Sequence, residues 1–231
     1  MSYFDRIKRR IKSEGLFKTI KYILFVGFYC LIDCMCITWL DIRYSKRLLK
    51  GNIKTSYKHM GANDVYHTKY CVMPLIFRLV PILEKDILVD VGCGKGRVIN
   101  YWLSKKLRNK IFGLELDTNV ARQDAQQFKK WKNVSIIEGD AITNIPENGT
   151  IFYFYNPFTA DKVEEFEGKL SKMFCDKPIK IVYYNPKSIH VFRNGKWNIR
   201  YINFEHDLGI KRWGRLNKYH DLAIITNKIK K

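Results

Sequence analysis

The chain has 231 residues, of which 46% are apolar and 14% aromatic, enough to bury an α/β core with an extension and too many for a wholly disordered polypeptide. Lys and Arg number 42 against 22 Asp and Glu, a formal net charge of +20 that favours nucleic acid, an anionic membrane face or acidic substrates as partners. The charge is dispersed, with 13 basic and 4 acidic side chains in residues 1–58, so no single patch follows from it.

Tyr3 to Lys21 is basic and partly amphipathic. The next stretch, YILFVGFYCLIDCMCITWL, runs from Tyr22 to Leu40 with Asp33 as its one charge. It is long enough to cross a hydrocarbon core of about 30 Å, but an Asp at mid-helix costs roughly 2.5–3.5 kcal/mol on insertion. No small-residue cleavage site follows, which argues against a removed signal peptide. The expectation is a helix that anchors in a bilayer, lies in its interface or packs on protein. The first two make residues 20–40 a membrane contact at the cytoplasmic face. Basic residues on both sides leave the orientation open. We place the N-terminal helical segment at residues 1–58 and the main domain at 59–231.

Residues 41–86 read as a polar, basic connector followed by an apolar stretch punctuated by Pro74 and Pro81. From Ile87 the pattern becomes rhythmic. ILVDV is a buried strand and RVINYWLSKKL a helix with apolar positions at helical spacing. KIFGLEL and VARQDAQQFKKW form the next strand and helix. VSIIEGD and TIFYFYNPF are strands three and four, and Thr159 or Asp161 opens a helix through Phe174. IKIVYYNP is a fifth strand, and WNIRYINFEHD with HDLAIITNK reads as a closing antiparallel pair. Strands alternating with helices specify a doubly wound, mostly parallel seven-stranded α/β sheet covered on both faces. Six cysteines, at 30, 34, 36, 71, 93 and 175, include no Cys-x-x-Cys pair and join no histidine at zinc-ligand spacing. Reduced thiols in a cytoplasmic compartment and no metal site are the expectation.

The stretch LVDVGCGKGR, Leu88 to Arg97, carries the chemistry. A tight strand-to-helix turn brings backbone N–H groups and a helix N-terminus to a ligand at the sheet's carboxyl edge. Gly92, Gly94 and Gly96 supply unusual dihedrals and remove β-carbons that would hold the ligand away. The dinucleotide spacing G-x-G-x-x-G fails, because Arg97 stands where its last glycine belongs. Asp90 at the loop mouth repels phosphate and attracts a cation, which selects a ligand with an ammonium group and no phosphate.

VDVGCGKGR resembles motif I of the class I S-adenosylmethionine-dependent methyltransferases, the seven-strand Rossmann-like family, over about residues 63–226. The resemblance implies S-adenosyl-L-methionine as cofactor, with Asp90, Gly92, Cys93, Gly94 and Gly96 around its methionine end. It implies that Glu115, beside Leu116 at the end of GLEL, grips both ribose hydroxyls. Asp140 of EGDA then meets the adenine amino nitrogen, with the Ala141 N–H toward the ring. Asn156, Pro157 and Phe158 fall beside the reactive methyl and are the candidate catalytic residues. They are similar to the Asn/Asp-Pro-Pro-Phe/Tyr element of adenine-amino methyltransferases, minus its second proline. The chain also looks like membrane-tethered protein-lysine methyltransferases with an apolar N-terminal segment.

The acceptor implied is a small molecule, saccharide, lipid-linked substrate or protein amine, with nucleic acid as the less favoured alternative and a non-catalytic, membrane-associated basic binding protein as a third. Tyr66 or Thr68 is expected to touch the methionine portion, with His67 a weak candidate base. Lys95 and Arg97 either attract an acidic group or form a solvated helix start. Tyr183-Tyr184-Asn185-Pro186 either faces the site or packs in the core. Lys211 to Lys218, KRWGRLNK, either stacks on single-stranded nucleic acid or is a hairpin loop.

Overall fold

The computed structural model describes residues 3–208 and 220–229. KRWGRLNK lies outside them. Two compact units make up the chain, Met1–Leu40 and Asp41–Lys231.

In the first unit, α1 (Tyr3–Glu14) and α2 (Leu16–Leu40) are parted by Gly15. Its φ of +83° is left-handed, a conformation that ends helices and that glycine adopts without a β-carbon penalty. The Arg10 guanidinium sits 3.6 Å over the Tyr22 ring and ties the two helices. Among the described residues no helix is long and apolar enough to cross a membrane.

The second unit begins at Asp41, so residues 41–58 belong with the main domain and the boundary falls eighteen residues before the expected 58/59 division. The cause is a buried polar network. The Asp41 carboxylate is fully buried and accepts from the Leu49 N–H at 3.0 Å, the Tyr70 hydroxyl at 2.9 Å and Arg97 Nη2 at 3.3 Å. Asp41–Ser45 winds as a π-helical turn. Arg47 reaches back to Asp124 at 2.9 Å, Gln127 at 3.0 Å and Gln123. A few polar groups of this connector, Asp41 and Ser45 among them, are buried against partners, while its lysines stay exposed.

After α3 (Met73–Leu79) come β1 (Leu88–Val91), α4 (Arg97–Ser104), β2 (Ile111–Glu115), α5 (Thr118–Phe128), β3 (Val134–Glu138), β4 (Ile151–Phe154), α6 (Ala160–Met173), β5 (Lys180–Tyr184), β6 (Trp197–Ile202) and β7 (Leu222–Asn227). The strands form one seven-stranded sheet in the order β3-β2-β1-β4-β5-β7-β6. β1 to β5 are parallel, while β7 runs antiparallel to both β5 and β6. β1 is buried at all four positions and central, with Asp90 registered between Gly113 and Tyr153. Val89, Phe152, Phe154, Phe166, Leu170, Ile181 and Tyr183 belong to the core on the β4–β5 side. α5 begins at Thr118, two residues before the expected Val120, because Asp117 caps it and accepts from the Asn119 and Val120 N–H groups.

The chain order reverses between β2-β1 and β4. Such a switch point opens a crevice outside the strands' carboxyl ends.

Candidate active site

That crevice is a cleft lined by residues from the ends of several strands. β1 supplies Asp90 and Val91, and the following turn Gly92 and Cys93. Glu115, Leu116 and Asp117 come from the end of β2, Asp140, Ala141 and Ile142 from beyond β3, and Tyr155 to Phe158 from beyond β4. Most of the remaining wall comes from residues between 53 and 68, a stretch without helix or strand periodicity, and Arg97, Val98, Val120, Tyr153 and Lys162 add to it. Gly94 and Gly96 do not line the cleft.

The glycines make room for protein. A β-carbon on Gly92, at φ +70°, would sit 2.5 Å from Pro157 Cβ, and one on Gly94, at φ +55°, 2.5 Å from Val65 Cγ1. At Gly96 the obstacle is the Phe128 ring. Gly92 lines the cleft while Gly94 and Gly96 stand behind it, and the absence of their β-carbons lets the Asn-Pro-Phe turn, the 53–68 stretch and α5 close on the loop.

Asp90 is 2% exposed, and its Oδ2 has no hydrogen-bond partner among the described residues. Burial, reinforced by the charge of Glu115, pushes its pKa up to about 8. Glu115 is also buried and raised. Its two oxygens take the Gly94 N–H at 2.8 Å and the Asp117 N–H at 2.9 Å, with the Leu116 N–H as a third backbone donor, so the carboxyl is fixed at the edge of the cleft. A third buried acid, Asp124, takes the Cys93 thiol at 3.8 Å. Burial and the neighbouring acids hold that thiol far above its usual range, so Cys93 stays protonated and is no nucleophile. Asp140 caps its own turn by accepting from the Ile142 N–H at 2.8 Å.

The Asn-Pro-Phe turn is spoken for. Asn156, at φ +45°, donates its amide N–H to Asn185 O at 2.7 Å and accepts the Tyr183 hydroxyl at 2.8 Å. Asn63 grips the three successive carbonyls: its N–H donates to Pro157 O at 2.9 Å, and its Nδ2 to Asn156 O at 3.1 Å and Phe158 O at 2.7 Å. A backbone bridge pairs Ala62 with Phe158 as well. Asn156 Oδ1 and Pro157 O, the acceptors that an adenine amine would need, each hold one donor from the protein and keep a second lone pair.

Other candidates separate by environment. Thr68 lines the cleft but is buried and bonded to the Tyr153 hydroxyl at 2.7 Å, whereas Tyr66 is exposed at the rim. His67 bonds Gly51 O at 3.0 Å, and burial together with Arg97 lowers its pKa to about 4, leaving it a neutral, weak base. Lys95 holds Lys50 O at 2.8 Å and Gly51 O at 3.0 Å. Arg97 is buried on Asp41, not solvated, so neither cation serves as an open anion trap. Tyr183 is buried behind the site, where it positions Asn156. Five carboxylates, Asp64, Asp90, Glu115, Asp117 and Asp140, line the cleft, and its two cations, Arg97 and Lys162, are paired with Asp41 and Glu165. Among the described residues no group of three or more His, Cys, Asp or Glu is arranged to hold a metal.

No family model and no curated protein matches the chain. Solved structures do. An RNA methyltransferase from Salinibacter ruber in complex with S-adenosyl-L-homocysteine superposes at TM-score 0.51 with 17% identity, over 72% of this chain and 95% of its own. A SAM-dependent O-methyltransferase from Thermotoga maritima gives 0.54 and 14%, over 72% and 68%. Precorrin-6y C5,15-methyltransferase from Geobacter metallireducens gives 0.50 and 15%, over 77% and 97%. The fold is that of the class I S-adenosylmethionine-dependent methyltransferases.

Proposed function

We propose that this chain uses its cleft to bind S-adenosyl-L-methionine and transfer its methyl group to an acceptor at a membrane. The observation that carries the reading is Asp90 Oδ2, buried and unpartnered at the carboxyl end of the central strand, where an ammonium would satisfy it. The S-adenosyl-L-homocysteine bound to the Salinibacter neighbour and the methyltransferase names of the other two support the cofactor. When bound, S-adenosylmethionine supplies a methyl on a sulfonium, a good leaving group that asks the protein mainly for alignment and exclusion of water.

Asp90 holds the amino end, and Glu115, fixed at the edge of the cleft, meets the sugar hydroxyls. Asp140 and Ala141 stand at the adenine end, with Leu116 beside the ring. Asn156 fixes the turn, while Pro157 and Phe158 form the wall beside the acceptor. With His67 neutral and weak, the acceptor enters in its unprotonated form or loses its proton to solvent.

A cleft of carboxylates on a chain of charge +20 supports an uncharged or amine acceptor: a small molecule, saccharide, lipid-linked substrate or protein amine. The nucleic-acid alternative has the net charge in its favour but meets an acidic cleft lining that repels phosphate.

Calorimetry on the full chain with S-adenosylmethionine and its demethylated product tests the cofactor. Binding by the wild type and its loss in Asp90→Ala are the expected results. Folded wild-type protein that binds neither overturns the proposal.

A further inference from the structure

One feature of the fold has no part in methyl transfer. Along α2, Phe17, Ile20, Leu24, Phe28, Leu31 and Met35 follow one another at three- and four-residue steps, so they lie on one side of the helix. They are between 45% and 70% exposed. The stripe runs about 27 Å at 1.5 Å per residue. Exposed apolar surface of this extent marks an interaction site.

Charge selects the occupant. Residues 1–21 carry seven Lys and Arg against two Asp and Glu, and residues 22–40 add no cation. Lys8, Lys12, Lys18 and Lys21 are exposed. Lys21 Nζ lies 4.6 Å over the Phe17 ring, which puts a cation at the start of the stripe. A second copy of the chain would bring two such cationic segments together and is disfavoured by repulsion. A nucleic acid satisfies the cations but leaves the stripe in water. A bilayer rich in anionic headgroups satisfies both, since cationic and apolar contributions add at such an interface.

We propose that the α1–α2 hairpin docks the protein on an anionic lipid surface, with the α2 stripe in the acyl boundary and Lys8, Lys12, Lys18 and Lys21 among the headgroups. This rests on the hairpin alone and stands or falls separately from the cofactor reading.

Flotation of the full chain with phosphatidylcholine vesicles, with and without phosphatidylserine, tests it. The wild type should float with the anionic vesicles, and binding should weaken by roughly an order of magnitude on omitting phosphatidylserine or raising salt. Leu24→Asp/Leu31→Asp should abolish flotation, and Lys8→Glu/Lys12→Glu should erase the preference for anionic lipid. The unfolding midpoint checks that both variants fold, and the salt response of the unaltered protein supplies an arm that needs no variant. The proposal is overturned by wild-type protein that stays out of the vesicle fraction, by equal and salt-independent binding to both vesicle types, or by a sedimenting dimer that Leu24→Asp/Leu31→Asp dissolves.

Discussion

Asp90 is a carboxyl group that the fold keeps from water and gives no donor on one oxygen. Its folded pKa of about 8 exceeds the ordinary aspartate value of 3.8, so the folded state binds more protons, and its burial lowers stability as pH rises through that window. Asp90→Asn should therefore raise the unfolding midpoint near pH 8 more than near pH 4. The same substitution should weaken cofactor binding by about ten- to hundredfold, the cost of one charge-assisted bond. An incoming ammonium favours the ionised acid, so wild-type binding should release a proton and tighten from pH 5 to 7, by at most about tenfold per unit. Calorimetry in buffers of differing ionisation heat reads that proton, and no release at pH 7 contradicts the assignment. Gly94 is the second residue-scale test. Gly94→Ala meets Val65 at φ +55° and should cost about 1–3 kcal/mol in a denaturant melt. Adding Val65→Ala should recover part of the loss, since the contact is relieved and the dihedral is not.

Among the elements, the stretch that crosses the glycine loop and the Asn-Pro-Phe turn depend on each other. Asn63 holds three carbonyls of that turn, and Asn156 and Asn185 both adopt positive φ, which Asn tolerates better than most residues. Asn63→Ala keeps the N–H bond to Pro157 O but removes two side-chain donors. A cost of about 1–2 kcal/mol is expected, and hydrogen exchange should rise at residues 155–160 while β1 stays protected. Unchanged exchange there would show that the turn holds itself. Asp41 is the other junction, because it joins the π-helical turn, Tyr70 and α4 in one buried network. Nothing periodic marks either contact in the sequence, where both residues sit in polar, loop-like surroundings.

For the molecule as a whole, charge is distributed against its average. The chain is strongly cationic, yet the cleft presents five carboxylates and only paired cations. A polyanion such as single-stranded RNA should bind weakly, lose affinity steeply with salt and leave cofactor affinity unchanged. Competition between such a polyanion and the cofactor, read by calorimetry, would favour the nucleic-acid alternative. The net charge of +20 reports on the surface and says nothing of the cleft, which is built from side chains far apart in the chain.

The strand and helix order was legible because buried strands such as LVDV and helices with an apolar stripe carry their period in local sequence. The N-terminal helices, the glycine loop and the acids at the strand ends were legible for the same reason: turn chemistry and strand ends are local. What the glycines face was not, since Pro157, Val65 and Phe128 approach them from 29 to 65 residues away by closure of the fold. The domain boundary, the burial of Arg97 on Asp41 and the engagement of Asn156 share that origin. Each depends on which distant donor meets which acceptor, and a polar side chain looks the same in sequence whether water or a buried partner satisfies it.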